Sequence, residues 1–218
     1  MSESRRQILG ALHAARRPFS QAEPPSDYRP VVPRTASESG GLLDLFVREA
    51  ERQSAVVHRA TDDARALSAL AALLEGQKRI ASWDPGEIAL PGLAHLLRDQ
   101  GIEIAEPEDE TPEFGLTGAL AGLAATGSLV ISSGPGTYRN TSLLPPVHIA
   151  VLRKEQLFPD LESWFTTERA RNFLHMRHAS NIVIVTGPSR TADIAMELVM
   201  GMHGPRELHI VLVEGEVI

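Results

Sequence analysis

No cysteine occurs among the 218 residues. That removes disulfides, thiolate nucleophiles and the usual ligands of iron–sulfur clusters from this polypeptide. An excess of basic charge is lacking too: 21 Lys and Arg stand against 28 Asp and Glu, a formal charge of −7. An acidic balance argues against a general nucleic-acid binder and a membrane-surface role, and most simply serves solubility. No apolar run approaches the length of a membrane span. The N-terminus, Met1-Ser2-Glu3-Ser4-Arg5-Arg6, is not followed by the apolar stretch of a secretory signal, so the expected location is the cytoplasm. Internal repeats, low-complexity blocks, a Gly-Lys-Ser/Thr phosphate loop, His-Glu-x-x-His and Gly-x-Ser-x-Gly are all missing.

What is present is material for a full core, since 43% of residues are apolar. Residues 4–17 read as a short helix with Ile8, Leu9 and Leu12 on one stripe. Pro18, Pro24, Pro25, Pro30 and Pro33 then impose an extended segment, because proline fixes φ and removes a donor. Residues 1–34 are therefore expected to form an arm, able to pack on the main domain or on a neighbouring subunit. Residues 35–218 are expected to form one α/β domain.

Within that domain, helical spacing predicts helices over 41–54, 62–75, 91–100, most of 155–175, and from about Ala192 to Met200. The small, apolar stretch 115–126 reads as a tightly packed helix. Strand composition marks 55–57, 79–83, 102–105, 128–132, 147–152, 181–186 and 208–213. Ile182-Val183-Ile184-Val185 reads as a strand buried on both faces. Alternation of helix and strand favours a mostly parallel sheet covered on both sides, a three-layer α/β/α architecture.

Three segments carry candidate chemistry. The first is Thr186-Gly187-Pro188-Ser189-Arg190-Thr191-Ala192-Asp193, between an expected strand and an expected helix. A helix start offers unpaired N–H groups and partial positive charge, and the hydroxyls and guanidinium add donors for a carboxylate or phosphate. The competing reading is that Ser189 or Thr191 only caps the helix and Asp193 complements its dipole. The second is Thr126-Gly127-Ser128, followed by a loop with Gly134, Gly136 and Arg139, where Arg139 either pairs with an anion or is simply an exposed side chain. The third is Gly201-Met202-His203-Gly204-Pro205, whose imidazole can donate to a ligand, shuttle a proton or bond to backbone. A metal site is not expected: His175 and His178 lack a third ligand. The acidic 106–113 stretch reads as a solvated loop.

The order TGSLVI (126–131), Arg139 with LLPPVHIAVL (143–152), TGPSRTADI (186–194) and GMHGP (201–205) resembles the lactate-utilization domain, over roughly residues 40–218. The resemblance implies a fold related to glucosamine-phosphate isomerase, ribose-phosphate isomerase and coenzyme A transferases. It implies a part in oxidising L-lactate to pyruvate beside iron–sulfur partner proteins, with the clusters in the partners and no cofactor in this chain. Matching positions are Thr126, Gly127, Arg139, Gly187, Pro188, Ser189, Arg190, Thr191, Asp193, His203 and Gly204. Thr126, Gly127, Arg139, Gly187, Ser189, Arg190, Thr191, Asp193, His203 and Gly204 would hold a small anionic ligand, and His203 and Asp193 are also the candidates for proton transfer. Relatives often carry an acid just before the threonine of the TGS piece; Ala125 stands there in this chain. A stand-alone enzyme acting on a phosphorylated sugar, acyl-CoA or nucleotide, and a regulatory ligand sensor, are the alternative functions. A homo-oligomer is compatible with the arm.

Overall fold

The computed structural model describes residues 3–15, 41–192 and 198–215. The chain divides into two units, Met1–Pro33 and Arg34–Ile218. In the first, α1 (Glu3–Ala15) exposes the stripe of Ile8, Leu9 and Leu12. The proline-rich segment after it lies outside the described residues.

The second unit is built on a six-stranded sheet with the order β1-β12-β7-β4-β2-β3, parallel throughout. Its strands are β1 (Val56–Ala60), β2 (Arg79–Ser82), β3 (Glu103–Ile104), β4 (Phe114–Gly118), β7 (Val147–Arg153) and β12 (Glu207–Val213). Every residue of β7 is buried, as expected of a strand flanked on both edges and covered on both faces. On one face lie α3 (Asp63–Leu73) and α4 (Leu93–Asp99), which bury Ala66, Leu70, Leu93 and Leu97. Asp62 caps α3 by accepting a 2.8 Å bond from Arg65 N–H, and its carboxyl is held below the usual range chiefly by that bond.

The other face carries α2 (Gly41–Arg52) and a second sheet of order β8-β5-β6-β9. It comprises β5 (Ala121–Leu123), β6 (Ser128–Ser133), β8 (Leu157–Phe158) and β9 (Asn181–Val185), with β5–β6 and β6–β9 antiparallel. Outside it, α5 (Leu161–Ala170) buries Trp164 against Ala121, Leu123 and Val130, and α6 (Leu174–His178) follows. A separate short pair is formed by β10 (Arg190–Ala192) with β11 (Leu198–Met200).

The α/β architecture with its mostly parallel sheet and N-terminal helix is as the sequence implies. Three local readings change. Residues 115–126 form β4 and β5, not a helix. Their glycines, poor helix formers, allow close approach instead: Gly115 abuts the Thr141 backbone, and Gly122 abuts Leu152 and Leu157. The 155–175 stretch is broken by β8 and by left-handed Asn172 and Phe173 (φ 55° and 54°). Finally, β9 is an edge strand, with Ile184 43% exposed, rather than one buried on both faces.

Candidate functional site

The expected helix from Ala192 to Met200 is replaced by strand pairing at both of its ends: Arg190 opposes Met200, Thr191 opposes Val199 and Ala192 opposes Leu198. Thr191 therefore does not open a helix, and among the described residues 186–192 there is no anion-binding helix start. Asp193 and Ile194 lie outside the described residues.

A different geometry gathers the same segments. Antiparallel pairing of β6 with β9 sets Leu129 opposite Val185, so the residues flanking both strands meet at one end of the second sheet. There Thr126 Oγ1 lies 2.7 Å from Ser128 Oγ, which lies 2.8 Å from Thr186 Oγ1. Three hydroxyls bring three protons, and two mutual bonds use two of them, so one O–H is directed elsewhere. Ser128 is buried, whereas Thr126 and Thr186 are exposed.

The turn between α2 and β1 forms the floor. Gly127 (φ 63°) lies against the backbone of Glu49 and Ala50, and Gly187 (φ 75°) lies against the Gln53 carbonyl. A Cβ at either position would collide with main chain, so both glycines are required for the approach as well as for the dihedral. Arg190 Nη2 donates to the Gln53 carbonyl and, at 2.9 Å, to Ser54 Oγ. Ser54 itself holds a left-handed φ of 67°, uncommon for a residue with a side chain. The guanidinium thus ties the 186–190 segment to the α2–β1 turn.

The third segment is held to Ser189. Ser189 N–H donates to Pro205 O at 2.8 Å, Gly201 N–H donates to Ser189 O at 3.0 Å, and Gly204 faces the Ser189 side chain. His203 is exposed on this loop.

Arg139 is not part of this gathering. Its neighbours dock elsewhere: Trp83 Nε1 donates to Tyr138 O at 3.2 Å, and Asn140 Nδ2 donates to Pro107 O at 3.1 Å. Those contacts follow β2 and β3, whereas Arg190 holds the turn before β1. In the sheet order β1 and β2 are four places apart, roughly 19 Å at ordinary strand spacing. Arg139 is exposed. An open apolar depression of about 450 Å³ between Pro85 and Ala94 contains none of the residues picked out from the sequence.

Two buried features have no distinct motif in the sequence. His148 in β7 is 1% exposed, with Nε2 2.9 Å from Thr117 Oγ1, and burial pushes its pKa down to about 4. Arg153, at the end of β7, donates from Nη1 to Asp63 at 2.7 Å and Ala89 O at 3.1 Å, and from Nη2 to Gly215 O at 2.9 Å. A buried cation at a strand end is not announced by hydrophobic patterning; only its place after VHIAVL hints at it.

Residues 43–213 match the LUD domain family. The chain belongs to that family. Among the similar proteins, lactate utilization protein C of Halalkalibacterium halodurans is 32% identical over 151 residues, covering 63% of each chain. Lactate utilization protein C of an Exiguobacterium species is 37% identical over 146 residues, covering 65% of this chain and 60% of the relative. The chain thus spans somewhat less than two thirds of these relatives. A DUF162 family crystal structure from Deinococcus radiodurans shares the fold, with a TM-score of 0.59, 21% identity, and coverage of 79% of this chain and 96% of that one. Among the described residues no group of three or more metal-ligating side chains is present, and no helix is long and apolar enough to cross a membrane.

Proposed function

We propose that this LUD-family chain serves L-lactate utilization as a subunit working beside iron–sulfur proteins, and binds a small anion where residues 126–128, 186–190 and 201–205 meet. The relatives named lactate utilization protein C support the biological setting. The observations that carry the ligand reading are the Thr126–Ser128–Thr186 hydroxyl chain and Arg190, held at Gln53 and Ser54, where Gly187 also abuts the chain. Hydroxyl protons and a guanidinium are donors suited to a carboxylate. Ser189 and His203 sit on the segments that border it, so His203 is the candidate for proton exchange with the ligand. Arg139 takes no part. With no cysteine in the sequence, cluster-borne electrons would be carried by the partners.

Two measurements test this. Co-expression with the two iron–sulfur lactate-utilization proteins should give a complex that co-elutes. A chain that stays solitary, and whose deletion leaves growth on L-lactate intact, contradicts the accessory role. For the ligand, L-lactate or pyruvate at 100 times its Kd should raise stability by about 2.7 kcal/mol. Arg190→Ala should weaken binding about tenfold, as loss of a charge-assisted bond does. Unchanged affinity removes Arg190 from the ligand.

A further inference from the structure

The far end of β6 carries a second arrangement that the first site does not use. Glu168, on α5, is 1% exposed, and its Oε1 accepts from His175 Nδ1 at 2.9 Å. Its Oε2 is buried and accepts no hydrogen bond among the described residues, so the carboxylate keeps acceptor capacity in reserve. His175 is 39% exposed at its side chain, which leaves the ring reachable from solvent. When Nδ1 carries the proton donated to Glu168, the neutral ring presents a lone pair at Nε2. The two residues face each other because Asn172 and Phe173, both left-handed at φ 55° and 54°, fold α6 back on α5. Backbone of this kind in residues with side chains concentrates at ligand sites.

Positive charge is concentrated in the sequence that follows Glu168. Residues 169–178 contain Arg169, Arg171 and Arg177 and no carboxylate, in a chain of net charge −7. Arg177 Nη2 donates to Asn172 Oδ1 at 3.2 Å, which uses one of five guanidinium protons. Ser180 N–H donates to Ser133 O at 2.7 Å, and Gly134 faces the His178 carbonyl, so α6 lies beside the glycine-rich loop. Ser133 and Ser128 end the six-residue β6, which separates the two places by roughly 17 Å.

We propose that His175, positioned by Glu168, is a second recognition site, for an oxyanion that carries its own hydroxyl proton. The hydroxyl donates to Nε2, and the arginines balance the charge. Hydrogen phosphate and a hydroxy-carboxylate share this chemistry. The proposal is independent of the Thr126–Thr186 site.

Nitrogen-15 NMR of the imidazoles at pH 7.5 tests it on the full chain. In the wild type, neutral His175 should hold its proton on Nδ1. Hydrogen phosphate or glycolate should shift the His175 Nε2 signal with saturation. Sulfate and acetate, matched in charge but without a hydroxyl proton, should shift it several-fold less. Response to phosphate alone, or to glycolate alone, supports the site and names its source. Glu168→Gln keeps the shape but loses the charge, and should reduce the response several-fold while thermal unfolding stays cooperative. The proposal is overturned if the proton sits on Nε2, if no probe moves the signal, if sulfate and acetate act equally, or if Glu168→Gln responds as the wild type does.

Discussion

β7 and β9 read alike as runs of aliphatic residues, VHIAVLR and NIVIV, yet one is wholly buried and the other is partly exposed along its length. The difference lies in sheet order. β7 has β12 on one edge and β4 on the other, with helices and a second sheet closing its faces. β9 ends its sheet, paired on one edge with β6. Composition makes a strand, but its neighbours decide its depth. The parallel sheet is the place where changes should cost stability. The second sheet carries the candidate chemistry at its two ends and should tolerate change better.

The largest effect is expected at the end of β7. Asp63→Ala leaves the Arg153 guanidinium, 4% exposed at its side chain, without its closest carboxylate. Removing one partner of a buried pair costs about 3–5 kcal/mol. Urea unfolding should show this as a lowered midpoint with an unchanged slope. A loss below about 1 kcal/mol would mean that Glu155, 3.8 Å from Arg153 Nε, takes over.

Next is a dependence on pH. Unfolded His148 takes up a proton near 6.5, but folded His148 does so only at about 4. Between those values the unfolded state holds more protons, so stability falls as pH falls through the window. The loss approaches about 3 kcal/mol at the lower end. His58 adds to it in the same direction, its pKa lowered first by burial and then by His209. Replacing the buried pair with His148→Leu and Thr117→Val should flatten most of the slope between pH 6.5 and 4. A slope that persists would place the proton uptake elsewhere.

The smallest change is expected in β9. Ile184→Thr alters an exposed, edge-strand side chain and should move stability by no more than about 0.5 kcal/mol. A loss of 2 kcal/mol would show that something covers this edge, and the contrast between the two sheets would fail.

Much of the parallel sheet was legible from its sequence, because strands such as 147–152 and 208–213 alternate with helices of clear period. The reading failed where periodicity is weak or ambiguous. At 115–126 small residues fit either a tight helix or a strand pressed from both sides, and only the clash at Gly115 distinguishes them. After Gly187 the spacing of Leu198 and Val199 suited a helix, but Arg190 is drawn down to Gln53 and Ser54, and the chain there pairs as strands. For the site, Gly127, Gly187 and Arg190 pack at the end of α2 and the turn after it, and Gly204 lies against Ser189. Arg139 is grouped with them by its place after a glycine-rich loop and by the family resemblance, but β6 carries the chain away before that loop begins. Glu168 and His175 are seven residues apart, and a helical stripe alone could not announce a contact made by folding back at Asn172 and Phe173.

The account rests on residues 126–128 and 186–190 packing at the end of α2 and the turn after it, with the 201–205 loop held to Ser189, and backbone amide NMR with L-lactate tests it directly. Residues 126–128, 186–190 and 201–204, with Gln53 and Ser54, should shift together along one saturating curve, and Arg190→Ala should weaken that curve. Titration to saturation of binding with those amides unmoved, or with only one of the three segments responding, would contradict it.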